Sequence, residues 1–463
     1  MNIKQRGFPF QSFRRQIIGA DCLVPTRRSR QAPYIHFDNA ASTPALHPVV
    51  DRLDDYLRWY SGVHRGTGHK SQLSSFYYDK SHEVIGRFVK ADLDWDTVIL
   101  TKNTTESINK LAHRFPFQRG DIVIATEMEH HSNDLPWRFR ARVEYVPVDE
   151  KGCLQTVILE QMLKKHYPHT RLVAVCGASN VTGHINDIHY LAALAHEYGA
   201  LILVDGAQLV PHRPVDIKPH DDPAHIDFLA FSGHKIYAPF GCGVLIGPRH
   251  FFQQGNPDQT GGGTVSLVTK EQIIWAGLPD REEAGSPNVL GALLLADTLQ
   301  YLQQLGLERM AAYEDELTCY ALEALSSVPG IIIYGSQPRV GVITFNLPSF
   351  PHAQLGSILC HEGGIGVRTG CFCAQTYVRK LLGLNTEQPL SYWSQKSPAH
   401  WPGMVRISLA AYNTREEIDR LAALLRQIAD NANYYKHLYP FSHHQQEYLP
   451  PKSHHYDWRS YKA

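Results

Sequence analysis

Residues 364–375 read Gly-Ile-Gly-Val-Arg-Thr-Gly-Cys-Phe-Cys-Ala-Gln, which puts two thiols, Cys371 and Cys373, on either side of one phenylalanine. A cysteine attacks as its thiolate, and it reaches that form where it is exposed and close to positive charge. Gly370 frees the backbone at this point, and Arg368 supplies a charge. Two other uses are open to Cys371: a packed small residue, or a metal ligand together with Cys373. A disulfide between them would be strained by so short a loop.

A second reactive group lies in residues 226–247, Ile-Asp-Phe-Leu-Ala-Phe-Ser-Gly-His-Lys-Ile-Tyr-Ala-Pro-Phe-Gly-Cys-Gly-Val-Leu-Ile-Gly. Two apolar runs bracket a polar turn carrying Ser232, His234 and Lys235. A lysine held between buried strands is costly to desolvate, and such lysines serve Schiff-base chemistry. Read alone, Lys235 serves equally well as an exposed turn residue.

Other polar groups follow further apolar runs. Asp205 and Gln208 follow one run, and Ser179-Asn180 a second. Glu127-Met-Glu-His130-His131 follows a third, and Thr104-Thr105 opens a helical pattern after a fourth. Open α/β sheets bind ligands beyond the carboxyl ends of their strands, and a helix N-terminus beside two threonines suits a phosphate. An imine lysine, an acid, a stacking ring and a phosphate cradle at one edge are what pyridoxal phosphate requires.

The elements that must position these groups are read from periodicity. Strands are expected at 98–101, 121–126, 172–176 and 201–204, with a helix from Asn103 to about Arg114 and another over 188–198. Strand, helix, strand with nearly continuous apolar strands predicts a largely parallel α/β sheet. From about residue 290 the pattern changes to one long helical segment (289–325), strands near 331–334 and 341–345, and a last helix over 416–432. This predicts a smaller α+β domain. The expected division is 34–290 for the large domain, 1–33 with 291–432 for the small one, and a tail over 433–463.

The 463 residues suffice for two or three domains. Basic and acidic side chains number 45 each, which leaves no basic stripe for nucleic acid. No apolar run reaches membrane-spanning length and the N-terminus lacks a signal-like core, so the expected location is the cytoplasm. Eight cysteines are too few for a disulfide scaffold. Cys22, Cys153, Cys176, Cys242, Cys319 and Cys360 are read as small buried residues. The stretch from 431 to 463 holds five histidines and six tyrosines, and it is expected to be loosely ordered or draped on a partner subunit. Its pairs His443-His444 and His454-His455 lack the spacing of a structural zinc site.

Ten stretches in order carry a resemblance: 37–44, 63–66, 103–106, 127–133, 179–183, 204–208, 232–235, 283–288, 368–370 and 406–410. On these the chain resembles the fold-type I pyridoxal phosphate enzymes of aminotransferase class V, and more closely the SUF-type cysteine desulfurases with their selenocysteine lyase-like members. The resemblance implies a large, mostly parallel seven-stranded-sheet domain and a homodimer. It implies that Lys235 forms the imine and moves the Cα proton, Asp205 pairs with the pyridine nitrogen and His130 stacks on the ring. Asn180 and Gln208 would address the ring oxygen, and Thr104, Thr105, Ser232 and His234 the phosphate. Thr264 would reach the partner's phosphate, while Arg406, with Asn39 and Arg368, would hold the substrate. Cys373 would take sulfur from L-cysteine, or L-selenocysteine's selenium, for an acceptor protein, and no metal is expected.

The family's two histidines before the cysteine are replaced here by Cys371-Phe372, a form more like the molybdenum cofactor sulfurases. This leaves Cys371 as a packed residue, a second thiol relaying the persulfide, or a metal ligand with Cys373. Residues 384–403 form a longer segment than the family's, read as a wall of the site, a docking surface or a plain surface insertion. Three functions are weighed: a cysteine desulfurase, another class V reaction with Cys373 incidental, and a cofactor-binding scaffold with little turnover.

Overall fold

The computed structural model describes residues 9–29, 31–384 and 397–450. Its centre is a seven-stranded sheet. Strands β1 (Asp96–Thr101), β2 (Ile122–Thr126), β3 (Arg142–Val146), β4 (Thr170–Cys176), β5 (Leu201–Asp205), β6 (Phe228–Ser232) and β7 (Gly243–Pro248) lie in the order β1-β7-β6-β5-β4-β2-β3. β7 is antiparallel to both neighbours, and every other pair is parallel. All residues of β2, β6 and β7 are buried, as a sheet covered on both faces demands.

The helices carry local signals that explain their ends. In α1 (Thr104–Arg114) the Asn103 side chain caps the first turn by accepting from the Glu106 N–H at 3.0 Å, an interaction worth about 1 kcal/mol. The helix α2 (Ile188–Glu197) stops before Gly199, whose φ of 71° suits only a residue without Cβ strain. The single helical segment expected over 289–325 is two helices, α3 (Val289–Leu305) and α4 (Leu307–Ser326). Gly306 separates them with φ 89°, which leaves the helical region.

A second sheet orders β8 (Ile332–Tyr334), β9 (Val342–Asn346), β10 (Arg368–Gly370) and β11 (Met404–Ser408) as β8-β9-β11-β10. Helices α5 (His352–Gly363) and α7 (Arg415–Asp430) share its core, with α6 (Gln375–Leu381) between them in sequence. Ile35 and Phe37 are packed in this core too, and Ile35–His36 pairs with Ile365–Gly366. Phe13 and Ile17 instead join the core of the large sheet, while Arg14 reaches across to Glu417 at 2.8 Å.

The first half of the expected loose tail is folded. Residues Ala432–Leu438 form a helix, and Phe441–Ser442 pairs with Glu447–Tyr448. Tyr435 and Tyr439 are buried, and the Tyr439 hydroxyl donates to Glu362 Oε1 at 2.8 Å. Aromatic area with a hydrogen-bonding tip outweighs the polar composition of this stretch. His454-His455 and most of the 384–403 segment lie outside the described residues. Of the six single cysteines, only Cys176 and Cys242 are buried; Cys22, Cys319 and Cys360 are exposed and Cys153 is half-buried. Two of the exposed three sit in the helices α4 and α5, where only part of the circumference faces a core. Among the described residues no helix is long and apolar enough to cross a membrane.

Candidate active site

Because β1, β2, β4, β5 and β6 run the same way, the residues that follow them meet at one edge. They enclose a cavity of about 360 Å³. Its wall includes Thr104 and Thr105 at the start of α1, His130 after β2, Asn180 after β4, Asp205 and Gln208 after β5, and Ser232, His234 and Lys235 after β6. The small sheet closes the other side with Arg368, Arg406, Phe372 and Cys373.

Lysine and acid are set by burial. Burial pulls the Lys235 amine below its usual range, against the opposing pull of Asp205. Burial pushes the Asp205 carboxyl up, opposed by its hydrogen bond from the Ala207 N–H at 3.0 Å and by Lys235. His130 is brought down to about 3 by burial and by the charge of Lys235, so its ring is neutral. The Ser132 N–H donates to His130 Nδ1 at 3.1 Å, which places the ring hydrogen on Nε2.

Hydroxyl groups and the α1 N-terminus form one end of the cavity. The Thr104 N–H donates to Ser232 Oγ at 2.7 Å, and Thr105 and Ser132 share a hydroxyl hydrogen bond of 2.7 Å. Donors of this kind at the positive end of a helix dipole suit an anion. Burial lowers His234 in the same wall to about 4.

At the opposite end, Arg406 is buried and its Nη1 donates to Asn180 O at 2.8 Å. Its Nη2 lies 3.2 Å from Asp38 Oδ1, and burial lowers it to about 10 against the effect of Asp38. Arg368, largely exposed, meets Asp38 Oδ2 at 3.0 Å. The Phe372 ring covers the Arg406 guanidinium at 4.9 Å, a cation–π arrangement.

The cysteine loop is clamped while its thiol is exposed. Phe372 and Cys373 adopt φ of 53° and 54°, a left-handed conformation uncommon for such residues. The Asn180 amide donates to Phe372 O at 2.7 Å, and the His131 N–H donates to Cys373 O at 2.7 Å. Cys373 is exposed and also borders a second, outer cavity of about 700 Å³. Cys371 is half-buried, its thiol donates to Pro402 O at 2.9 Å, and burial pushes it up to about 11. Cys371 also lines the outer cavity that Cys373 borders.

Two expected residues are elsewhere. Asn39 is buried, and its amide group is used up by Ser408 O at 2.8 Å and the Tyr412 hydroxyl at 2.7 Å. Thr264 does not line the cavity; its hydroxyl donates to Gly261 O at 2.8 Å. Three residues without an expected role take part: Asp38 between the arginines, Ser132 beside His130, and Phe372. Asp38 and Ser132 lie inside stretches that carried the resemblance, so their position was available although their partners were not.

A parallel sheet with one reversed strand, and a lysine and an acid at its carboxyl edge, define the fold-type I arrangement. The aminotransferase class-V family model matches residues 35–421, and the chain belongs to this family. A cysteine desulfurase of Pectobacterium atrosepticum is 38% identical over 408 residues, covering 86% of this chain and 93% of that protein. A cysteine desulfurase of Haloferax volcanii is 36% identical over 416 residues, covering 87% and 92%. The structure is similar to the apo cysteine desulfurase of Thermococcus onnurineus NA1, with a TM-score of 0.79, 32% identity, and coverage of 92% and 99%. The S-sulfonic acid form of the Escherichia coli cysteine desulfurase CsdA gives a TM-score of 0.77 at 28% identity, covering 92% and 99%.

Enzymes of this family work with pyridoxal 5'-phosphate. The residues present fit that group. Gln208 donates its Nε2 hydrogen to Ala40 O at 2.7 Å, and its buried Oε1 has no hydrogen-bond partner among the described residues. Arg406 Nε is buried without one as well. Orphaned polar atoms on a cavity wall call for an occupant with complementary groups.

Proposed function

We propose that the protein is a cysteine desulfurase that works with pyridoxal 5'-phosphate, takes sulfur from L-cysteine onto Cys373 and releases L-alanine. One observation carries this reading: a single cavity joins Lys235, Asp205 and Arg406 to an exposed thiol on a strained loop. Lys235 would hold the cofactor, with Asp205 as the acid for its ring nitrogen, His130 as the stacking ring, and Thr104, Thr105, Ser232 and His234 as the anchors of its phosphate. Bound there, the cofactor supplies an electron sink that weakens the bonds at the substrate's Cα and Cβ.

The chain's own residues do the rest. Arg406 grips the substrate carboxylate through its planar fork, which Asp38 and the Phe372 ring hold in place. Lys235, its amine favoured in the neutral form by burial, moves the proton at Cα. Cys373 Sγ forms a bond to the substrate sulfur as the substrate's Cβ–Sγ bond breaks. The electron pair stays with the carbon skeleton, which takes a proton and leaves as alanine, and Cys373 keeps the sulfur as a persulfide. The outer cavity gives an acceptor thiol access to that persulfide from the side away from Lys235.

The working unit in this reading is a homodimer in a reducing, cytoplasmic setting. Its support is the hairpin Val265–Val268 and Ile273–Trp275, where Leu267, Val268, Ile273 and Ile274 are each more than half exposed at 57, 55, 52 and 55%. Thr264 lies just before this hairpin and is itself fully buried against Gly261, so the case for a partner rests on the apolar surface.

The test is alanine and sulfide release from L-cysteine plus a reductant, with Cys373→Ala alongside. Equal amounts of both products, lost in the variant, support desulfuration. Release indifferent to Cys373 would overturn it and leave another reaction on the same cofactor.

A further inference from the structure

At the amino edge of the sheet, the end opposite Lys235, three side chains converge. His196 lies in the last turn of α2, His225 in the loop before β6, and Asp227 immediately before β6. Their ligand atoms lie within 4.8 Å of one another. His196 Nε2 is 2.8 Å from Asp227 Oδ2, and His225 Nε2 is 3.1 Å from Asp227 Oδ1. The two rings stack with centroids 4.3 Å apart.

The other ring nitrogens decide what can sit between them. His196 Nδ1 faces Pro223 O at 2.7 Å, and His225 Nδ1 faces Asp222 O at 2.9 Å. A carbonyl only accepts, so each Nδ1 carries a hydrogen. In a neutral ring the Nε2 atom is then a lone pair, and here two such lone pairs point at one acceptor-only carboxylate. A cation must bridge them: a proton on each ring, or one metal ion. The protonated version stacks two positive rings on Asp227, whose Oδ2 also accepts from the Ile202 N–H at 2.8 Å, with Asp96 the next carboxylate, bonded to the neighbouring His220. A metal ion leaves both rings neutral and puts the positive charge at the shared point. A backbone carbonyl on Nδ1 with Nε2 turned to a common centre is how metal-ligating histidines are oriented.

We propose that His196, His225 and Asp227 form a binding site for a divalent first-row transition metal ion, with zinc the best match. Two imidazoles and a carboxylate suit zinc, whose bonds to nitrogen and oxygen are about 2.0–2.2 Å. A tetrahedral ion needs its ligand atoms about 3.4 Å apart at those bond lengths. The half-buried rings on a helix end and a loop need only a small movement to reach that. Water completes the coordination. His220, its ring 5.1 Å from His225, is committed to Asp96 at 3.0 Å. The ion ties the end of α2 to the start of β6, so it stabilises the sheet edge and takes no part in the reaction.

The test uses chelator-stripped holoenzyme carrying Cys373→Ser, which removes the exposed loop thiol as a competing ligand. It is titrated with zinc against a chromophoric chelator, beside the same protein with His196→Gln and His225→Gln. The expected result is one more zinc equivalent bound by the parent than by the variant, in which only Asp227 remains of the three protein ligands and the site is lost. Zinc raises the melting temperature of the parent alone. With Cys373 intact, the two substitutions leave alanine release unchanged. Equal zinc binding and equal melting shifts in both proteins would overturn the proposal and leave a proton-bridged His–Asp–His cluster. Should the double variant misfold by circular dichroism, His225→Gln alone, on its loop, gives the same readouts.

Discussion

Arg368 and Arg406 are directly opposite each other in the antiparallel pairing of β10 and β11, and Asp38 bonds to both, at 3.0 and 3.2 Å. Like charges opposed across a sheet repel, and here the intervening carboxylate reverses the sign of the interaction. Asp38 comes from the chain that crosses from the small core into the cavity wall, so one residue joins the strand pair to the site.

Asp38→Asn should therefore lower stability to urea by about 2–3 kcal/mol, since it leaves a buried guanidinium uncompensated. Arg368→Gln alone should cost under about 1 kcal/mol, because that side chain is largely exposed. Combined with Asp38→Asn it should restore part of the loss. A double variant no more stable than Asp38→Asn would mean that the arginines do not interact.

The two cysteines should behave differently. Cys373→Ser should retain cofactor and lose alanine release by at least about 1,000-fold. Cys371→Ser, whose thiol only donates to Pro402 O, should keep alanine release within about 3-fold. Mass spectrometry after a single turnover should find the added sulfur on the peptide with Cys373 and not in the Cys373→Ser protein. Sulfur added to Cys371 instead would reverse the assignment.

Lys235→Ala should fold and lose the cofactor's covalent attachment, read as no label fixed by borohydride. Asp205→Asn should keep the attachment and lower kcat by on the order of 100-fold, because a neutral amide cannot hold a charge on the ring nitrogen. Normal kcat in Asp205→Asn would remove Asp205 from the proposed role.

His130 gives a pH dependence with a definite sign. Its folded value of about 3 is below the ordinary histidine value of 6.5, so the unfolded chain binds the extra proton between those limits. The cofactor-free protein should lose stability as pH falls from about 6.5 towards 3, by up to about 1.4 kcal/mol per unit from this residue. Above 6.5 the contribution is fully present. Urea melts of His130→Gln at pH 4.5, 5.5 and 7 should show a shallower acid limb than the parent. Identical slopes would show that the ring titrates normally.

Much of the catalytic edge was legible because its signals are local. Alternating apolar runs and turn residues place Lys235, Asp205, Asn180 and Thr104 at strand ends without any knowledge of pairing. Asn39 shows the limit of this. It sits in a stretch that resembles the family closely, yet its shortest hydrogen bonds run to Ser408 and Tyr412, far along the chain, and it is absent from the cavity wall.

What the sequence by itself determined is the class of chemistry and the order of the elements, because residue type and short-range periodicity are properties of neighbours in the chain. Only the tertiary structure decided that Asp38 stands between two arginines, that a tyrosine-rich stretch folds back on Glu362, and that His196 meets His225 and Asp227. Each of these depends on strand register and helix packing. Those are set by burying apolar area between segments far apart in sequence, where no local pattern records which polar side chains will meet.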